Sequence, residues 1–523
     1  MATPANTAMA LSAALVTTPA TLESWLAIAP VALCITLGAI LMMMRGAIRL
    51  QAALAIAGLA LLVVLDALLL ARVAAHGPLT MVMGRWLPPF GIAFSIDVLG
   101  ALMALTASIA ALAGGVCALG DIDPNSRRHG FFPFLLLLMA GVTGSFTTGD
   151  IFNLYVWFEV LLIASFGLLI LGSERAQIDG AMKYAVLNLI ATTLFLIAVG
   201  ILYASFGTLN MADIAMKAEA VRSHAPMMTL AALFLLAFAM KAAAFPVNFW
   251  LPASYHTPRI VVSALFAGLL TKVGVYALIR VLVMLLPAER DELSLLIAAI
   301  GALTVITGAL GALAQDDIRK LLGYTVISGI GSMLIGVALG TAGGLSGAVL
   351  YALHSMLLMT ALYLVAGQAA RLGGGFSLTT LAGLYRRNGL FAGLSFILFL
   401  AACGLPPFTG FWPKVTLVKA SLDVGAWWLA AVILIGGFIT LIAFGRVFLL
   451  AYWRPATEAQ LHATIAWPAT LPIIALTALV VGFGIFPNTL LQLTQSAADG
   501  LADPAAYLQS VFPESAALEG EAP

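Results

Sequence analysis

The fold class this sequence predicts is an all-α integral membrane protein of about 14 transmembrane helices. Three observations predict it. Of the 523 residues, 62% are hydrophobic and 9% are charged, where a soluble domain carries about 25% charged residues. Apolar runs of about 20 residues, the length that crosses a bilayer as a helix, recur along the chain. Two of these runs are interrupted by prolines beside a Phe-Trp pair.

In chain order the runs begin near Trp25, Leu50, Val98, Phe131, Ile151, Tyr184, Met227, Ile260, Leu293, Leu321, Leu345, Leu390, Ala426 and Ala466; they are called helices 1 to 14 here. Residues 1 to 22 hold no Lys or Arg, so the first run lacks the basic flank of a signal peptide and reads as a retained span. The weakest boundaries are Gly149-Asp150, between helices 4 and 5, and Thr341-Ala342-Gly343-Gly344, between helices 10 and 11.

Of the 24 basic residues, fourteen fall in odd-to-even loops. Six (Arg72, Arg85, Lys217, Arg222, Arg280 and Arg290) fall on the other side. Loops rich in Lys and Arg stay cytoplasmic, so both termini are expected on the outer side of the membrane. The tail after Leu491 has no basic residue and carries Asp499, Asp503, Glu514, Glu519 and Glu521; it reads as a short external segment. A formal charge of +1 gives no field that would attract nucleic acid. Cys34, Cys117 and Cys403 lie in apolar runs without metal-ligand spacing and read as inert helix residues. No P-loop, haem ligand set or quinone motif is present, so no cofactor is expected and energy must come from an ion gradient or a partner.

Helices 7 and 12 are expected to be broken. Lys241 precedes AAAFPVNFWLP, with Pro246 and Pro252, and Lys414 follows CGLPPFTGFWP, with Pro406, Pro407 and Pro413. Proline within a helix removes a backbone hydrogen bond and clashes with the preceding turn. Such backbone survives at membrane depth only against protein or water. The two segments resemble one another and lie five helices apart. An odd offset turns the second copy over, which is the signature of inverted repeats. The expected organisation is residues 1–129 (helices 1–3), 130–290 (helices 4–8), 291–453 (helices 9–13, the inverted copy) and 454–523 (helix 14 and the tail).

Charges inside the apolar runs are the functional signal: Glu159, Lys241, Lys272, Lys414 and Lys419. A charge at mid-bilayer costs roughly 2.5–3.5 kcal/mol on insertion scales, and such residues mark ion or proton pathways. A buried lysine beside a carboxylate can be tuned to load and release a proton near neutral pH, whereas arginine cannot. A static ion pair between Glu159 and Lys241 is the competing reading. Lys419 lies about 140° around the helix from Lys414 and reads as an interfacial lysine. Asp66 reads as a subunit contact or a helix-end hydrogen bond rather than a transport residue.

The stretches TGDIFNLYVWFEVLLIASFGLLIL, FPVNFWLPASYHTPRIVVSALFAGLLTKVGVYALIR and GLPPFTGFWPKVTLVKAS resemble the antiporter-like subunits shared by respiratory complex I and Mrp-type multisubunit cation/proton antiporters. The resemblance spans roughly residues 130–450, and its wording is most similar to the D subunits of Mrp complexes. It implies a proton relay along the membrane plane. In that relay Glu159 and Lys241 are the exchanging pair, Lys272 passes the proton inward, His354 relays it, and Lys414 faces the far half-channel. It also implies a secondary transporter subunit, not an enzyme, moving H⁺ against Na⁺ or K⁺ in a hetero-oligomer with A-, B-, C-, E-, F- and G-like subunits and membrane lipid. The alternative it leaves open is a proton-pumping subunit of a complex I-like oxidoreductase or hydrogenase.

Overall fold

The computed structural model describes residue 15 and residues 20–456 and 465–513. Among these, ten helices are long and apolar enough to cross a membrane: Ile48–His76, Val98–Asp121, Ile151–Leu169, Arg175–Phe206, Ile260–Leu285, Ser294–Leu313, Ile318–Leu339, Ala342–Gly373, Trp427–Trp453 and Trp467–Ile485. Four shorter apolar helices complete the bundle: Ala29–Met43, Phe131–Thr147, Met227–Ala242 and Gly389–Cys403. In chain order they take up the positions of helices 1 to 14. Helix 6 starts at Arg175, nine residues before its expected start, so Lys183 lies within it.

The two weak boundaries are real breaks, and each is capped. The Asp150 carboxylate accepts from the Asn153 amide at 2.7 Å, and the Thr341 hydroxyl accepts from the Gly344 amide at 3.1 Å, the usual way of satisfying a helix start. Helices 4 and 5 approach closely because Gly141 has no side chain: a Cβ there would lie 2.6 Å from the Leu161 backbone nitrogen. Small residues at such contacts replace the hydrophobic drive that lipid cannot supply.

Helices 8, 10 and 11 form the centre; 94% or more of the apolar window of each is buried. On one face a two-stranded antiparallel hairpin, Leu79–Val82 with Ala93–Ile96, packs with the Met211–Val221 helix and the chain's last helices. The tail departs from expectation here: Asn488–Ala502 and Ala505–Val511 are helical and dock back on the bundle, with Thr494 bonded to Ser346 at 3.1 Å and Ser510 to Thr80 at 2.9 Å. Glu514, Glu519 and Glu521 lie outside the described residues.

The opposite face is tied by charges. Arg371 pairs with Asp121 at 2.7 Å and Arg319 with Asp317 at 2.7 Å; Arg446 pairs with Asp316. Arg280, expected in a loop, lies inside helix 8, 1% exposed, and grips Asp97 through two bonds of 2.6 and 2.7 Å. A buried arginine survives only when so paired.

Candidate functional site

Both broken helices are broken where the prolines stand. Helix 7 stops at Ala242, Ala243 adopts a left-handed backbone, and a short helix resumes over Trp250–Tyr255. Helix 12 stops at Cys403, with left-handed Gly404 (φ 80°), and resumes over Phe411–Asp423. The Phe245-Pro246 and Pro406-Pro407 peptides are both cis. Each break frees carbonyls in an apolar setting, where every polar group needs a partner. In helix 7 the Trp250 indole donates to the Met240 carbonyl at 3.1 Å, and the Thr304 hydroxyl accepts from the Phe245 amide at 2.9 Å. In helix 12 the Lys414 ammonium donates to the Cys403 carbonyl at 2.6 Å, with Ala402 at 3.5 Å.

The five candidate relay residues fall into two groups. Lys241 ends the first half of helix 7, is 6% exposed, and has no hydrogen-bond partner on its ammonium. Glu159 on helix 5 is the charged group acting on it, yet no ion pair within 4.0 Å joins them. Instead the Lys241 ammonium sits over the Phe158 ring, 5.1 Å from its centroid. The Glu159 Oε1 atom is likewise buried without a partner.

The second group is Lys272, His354 and Lys414; both lysines act electrostatically on His354. Lys272 is fully buried in helix 8, its ammonium turned back to the Ala267 carbonyl at 2.5 Å. His354 on helix 11 is 4% exposed and shares a 2.8 Å hydrogen bond between Nδ1 and the Thr409 hydroxyl, inside the helix 12 break. Gly410 makes this approach possible, since a Cβ there would lie 3.0 Å from His354 Nε2 and 1.9 Å from the Ala401 carbonyl.

Lys414 stands between two spaces. A narrow polar crevice lined by Thr325, Ser328, Ser332, Tyr351 and Thr440 meets it from within the bundle. A lateral groove of about 500 Å³, walled by apolar residues such as Val418, Leu434 and Phe438, meets it from outside. Lys419 lies at the rim of that groove, exposed and paired with Asp423 at 2.6 Å.

Five further buried acids among the described residues fall outside this set, Asp66, Asp97, Asp150, Asp213 and Glu289, and the first two stand out. Asp66 is not at a helix end and does not face outward: it is fully buried in mid-helix 2, where the Ser108 hydroxyl of helix 3 is the polar side chain acting on its carboxylate. Asp97 caps helix 3 through the Gly100 amide at 2.9 Å and holds Arg280, which also donates to the Tyr276 hydroxyl at 3.1 Å. The pairing of Asp97 with Arg280 spans 183 residues, so no local pattern could have disclosed it. Cys34, Cys117 and Cys403 are buried free thiols.

A bundle of membrane helices, two of them broken around buried lysines, defines the class of antiporter-like membrane subunits. The chain belongs to the family described as NADH:quinone oxidoreductase/Mrp antiporter, transmembrane region, whose model matches residues 148–440. It is 36% identical to the D subunit of the Na(+)/H(+) antiporter of Alkalihalophilus pseudofirmus over 85% of this chain and 91% of that one. Among solved structures it is similar to a chain of the Mrp complex from a Dietzia species (TM-score 0.87, 28% identity, covering 94% of this chain and 100% of that one). It is also similar to a chain of respiratory complex I from Thermus thermophilus (TM-score 0.79, 25% identity, 91% and 99% covered).

Proposed function

We propose that this chain is the D-type, proton-translocating subunit of a multisubunit Na⁺ or K⁺/proton antiporter in a bacterial inner membrane, with all fourteen helices spanning and both termini outside. Its partners are the other Mrp-type subunits, A-, B-, C-, E-, F- and G-like, together with membrane lipid. Protons pass along Glu159, Lys241, Lys272, His354 and Lys414.

The observation that carries this reading is the ammonium of Lys241, buried, free of hydrogen bonds and acted on by Glu159 without being clamped to it. A structural ion pair is stabilising only in close, fully bonded geometry; a group that must give up its proton benefits from being loosely held. Arginine keeps its proton at any physiological pH, and the unpaired buried cations here are lysines. The complex I-like alternative rests on the fold match alone and is the weaker, because the relatives at higher identity carry the antiporter name.

The test is Glu159→Ala in the assembled complex, assayed as Na⁺-induced collapse of a pH gradient in inverted membrane vesicles. Exchange is expected to disappear while the complex still co-purifies. Normal exchange with a less stable complex would establish the static ion pair instead.

A further inference from the structure

Phe158 is the residue the relay reading leaves unused, and its ring occupies the place where the partner of Lys241 should be. The ring is 1% exposed and is fixed by its neighbours: Phe195 edge-on at 5.7 Å and Phe238 stacked at 6.0 Å. Phe195 is in turn held by Phe234 and Tyr155. A ring locked on these sides offers its remaining face to the Lys241 ammonium, 5.1 Å from its centroid. That is within the range, up to about 6 Å, at which a cation is attracted to an aromatic face. The amine has no hydrogen-bond partner, and besides the ring the group acting on it is the Glu159 carboxylate.

We propose that Phe158 is a positioning residue that gives the Lys241 ammonium a second resting place, so that the lysine alternates between this aromatic face and the adjacent Glu159 carboxylate. The inference rests on the reading of Glu159 and Lys241 as a proton-exchanging pair. Residues 158 and 159 are neighbours on helix 5, about 100° apart around the helix, and the amine over the ring of the first already feels the carboxylate of the second. A buried ammonium with nowhere to go when it leaves a carboxylate would stay there, because an unpartnered charge in an apolar site is costly. The aromatic face lowers that cost without accepting or donating a proton, and so lets the pair separate with the lysine still charged.

The experiment weakens the aromatic face without changing its shape. Phe158 is replaced, by nonsense suppression in the whole complex, with phenylalanine carrying one, two or three ring fluorines, alongside Phe158→Leu and Phe158→Tyr. Na⁺/H⁺ exchange is measured in inverted vesicles and assembly by co-purification. The expected result is a stepwise fall in exchange with fluorine number, roughly tenfold across the series, with Phe158→Leu as poor as the trifluoro form and Phe158→Tyr close to native. A packing role would leave the fluorinated series flat, and that result would overturn the proposal. The Lys241→Ala complex, run in parallel, separates the two ideas. A flat series with an inactive Lys241→Ala removes only the role of Phe158, whereas native exchange by Lys241→Ala removes the relay reading on which it stands.

Discussion

The two helix breaks solve the same backbone problem and put the solution to different uses. In helix 7 the lysine precedes the break, and the Met240 carbonyl accepts from both the Ala243 amide at 3.2 Å and the Trp250 indole at 3.1 Å, while the Lys241 ammonium stays unbonded. In helix 12 the lysine follows the break and itself caps the freed Ala402 and Cys403 carbonyls; the corresponding indole, Trp412, donates instead to Gly484 of helix 14 at 2.8 Å. One end of the proposed path therefore carries a loose amine beside a carboxylate. The other carries an amine anchored on backbone and facing a polar crevice. The contrast shows that a repeated motif fixes the course of the chain and not the behaviour of the charge beside it. Tryptophan and lysine have exchanged the job of capping.

The largest effect expected from this contrast is at Lys414. Lys414→Arg keeps the positive charge on the Cys403 carbonyl but cannot release a proton, so exchange should fall below roughly a tenth of the native rate while the complex assembles. Native exchange by this variant would reduce Lys414 to a carbonyl cap and leave His354 or Lys272 as the last carrier. Next in size is the buried pair that ties helix 8 to the start of helix 3. Arg280→Ala strands Asp97, and losing one partner of such a pair costs about 3–5 kcal/mol. The complex should melt several degrees lower, and protease should reach the Ala505–Val511 helix, since Arg280 also lies 5.5 Å from the Tyr507 ring centroid.

The paired tryptophans sharpen the comparison further. Trp250→Phe and Trp412→Phe each remove one indole bond to a carbonyl, at about 1 kcal/mol. Only the first takes a donor from a carbonyl at a break beside the loose lysine, leaving Met240 with the Ala243 amide alone. Trp250→Phe should slow exchange several-fold more than Trp412→Phe at similar loss of thermal stability; equal slowing would erase the distinction between the two ends. The smallest effect is at the far face, outside the membrane. The Ser126 hydroxyl and amide hold the Asp123 carboxyl below the usual carboxylate range. Its contribution is thus present above about pH 4 and is lost as pH falls through its lower folded value. Asp123→Asn, which keeps a cap, should flatten only the acid limb of a stability profile and leave exchange at neutral pH unchanged.

Much of the candidate site could be proposed from the sequence because a charge in an apolar run has no ordinary explanation. Glu159, Lys241, Lys272 and Lys414 announce themselves by composition alone, and the breaks announce themselves by proline. What was not legible depends on contacts distant in sequence. Arg280 stands close enough to the end of an apolar run to pass for a loop residue, and its partner Asp97 is 183 residues away. Asp66, six residues before Arg72, reads like a residue near a helix end, but helix 2 runs on to His76 and turns that position inward. The tail hides a regular pattern behind its acids: Thr494, Ala497, Ala498 and Leu501 are buried at helical spacing. Phe158 could not have been singled out among 28 phenylalanines, since what distinguishes it is the ammonium above its ring.

The central claim is that the unclamped amine of Lys241 carries the proton exchanged with Glu159. Its most direct test is Lys241→Ala in the complete complex, with Na⁺-induced collapse of the pH gradient measured in inverted vesicles and subunit content measured in the same preparation. The account predicts a full set of subunits and no exchange. Exchange at the native rate from a fully assembled Lys241→Ala complex would contradict it.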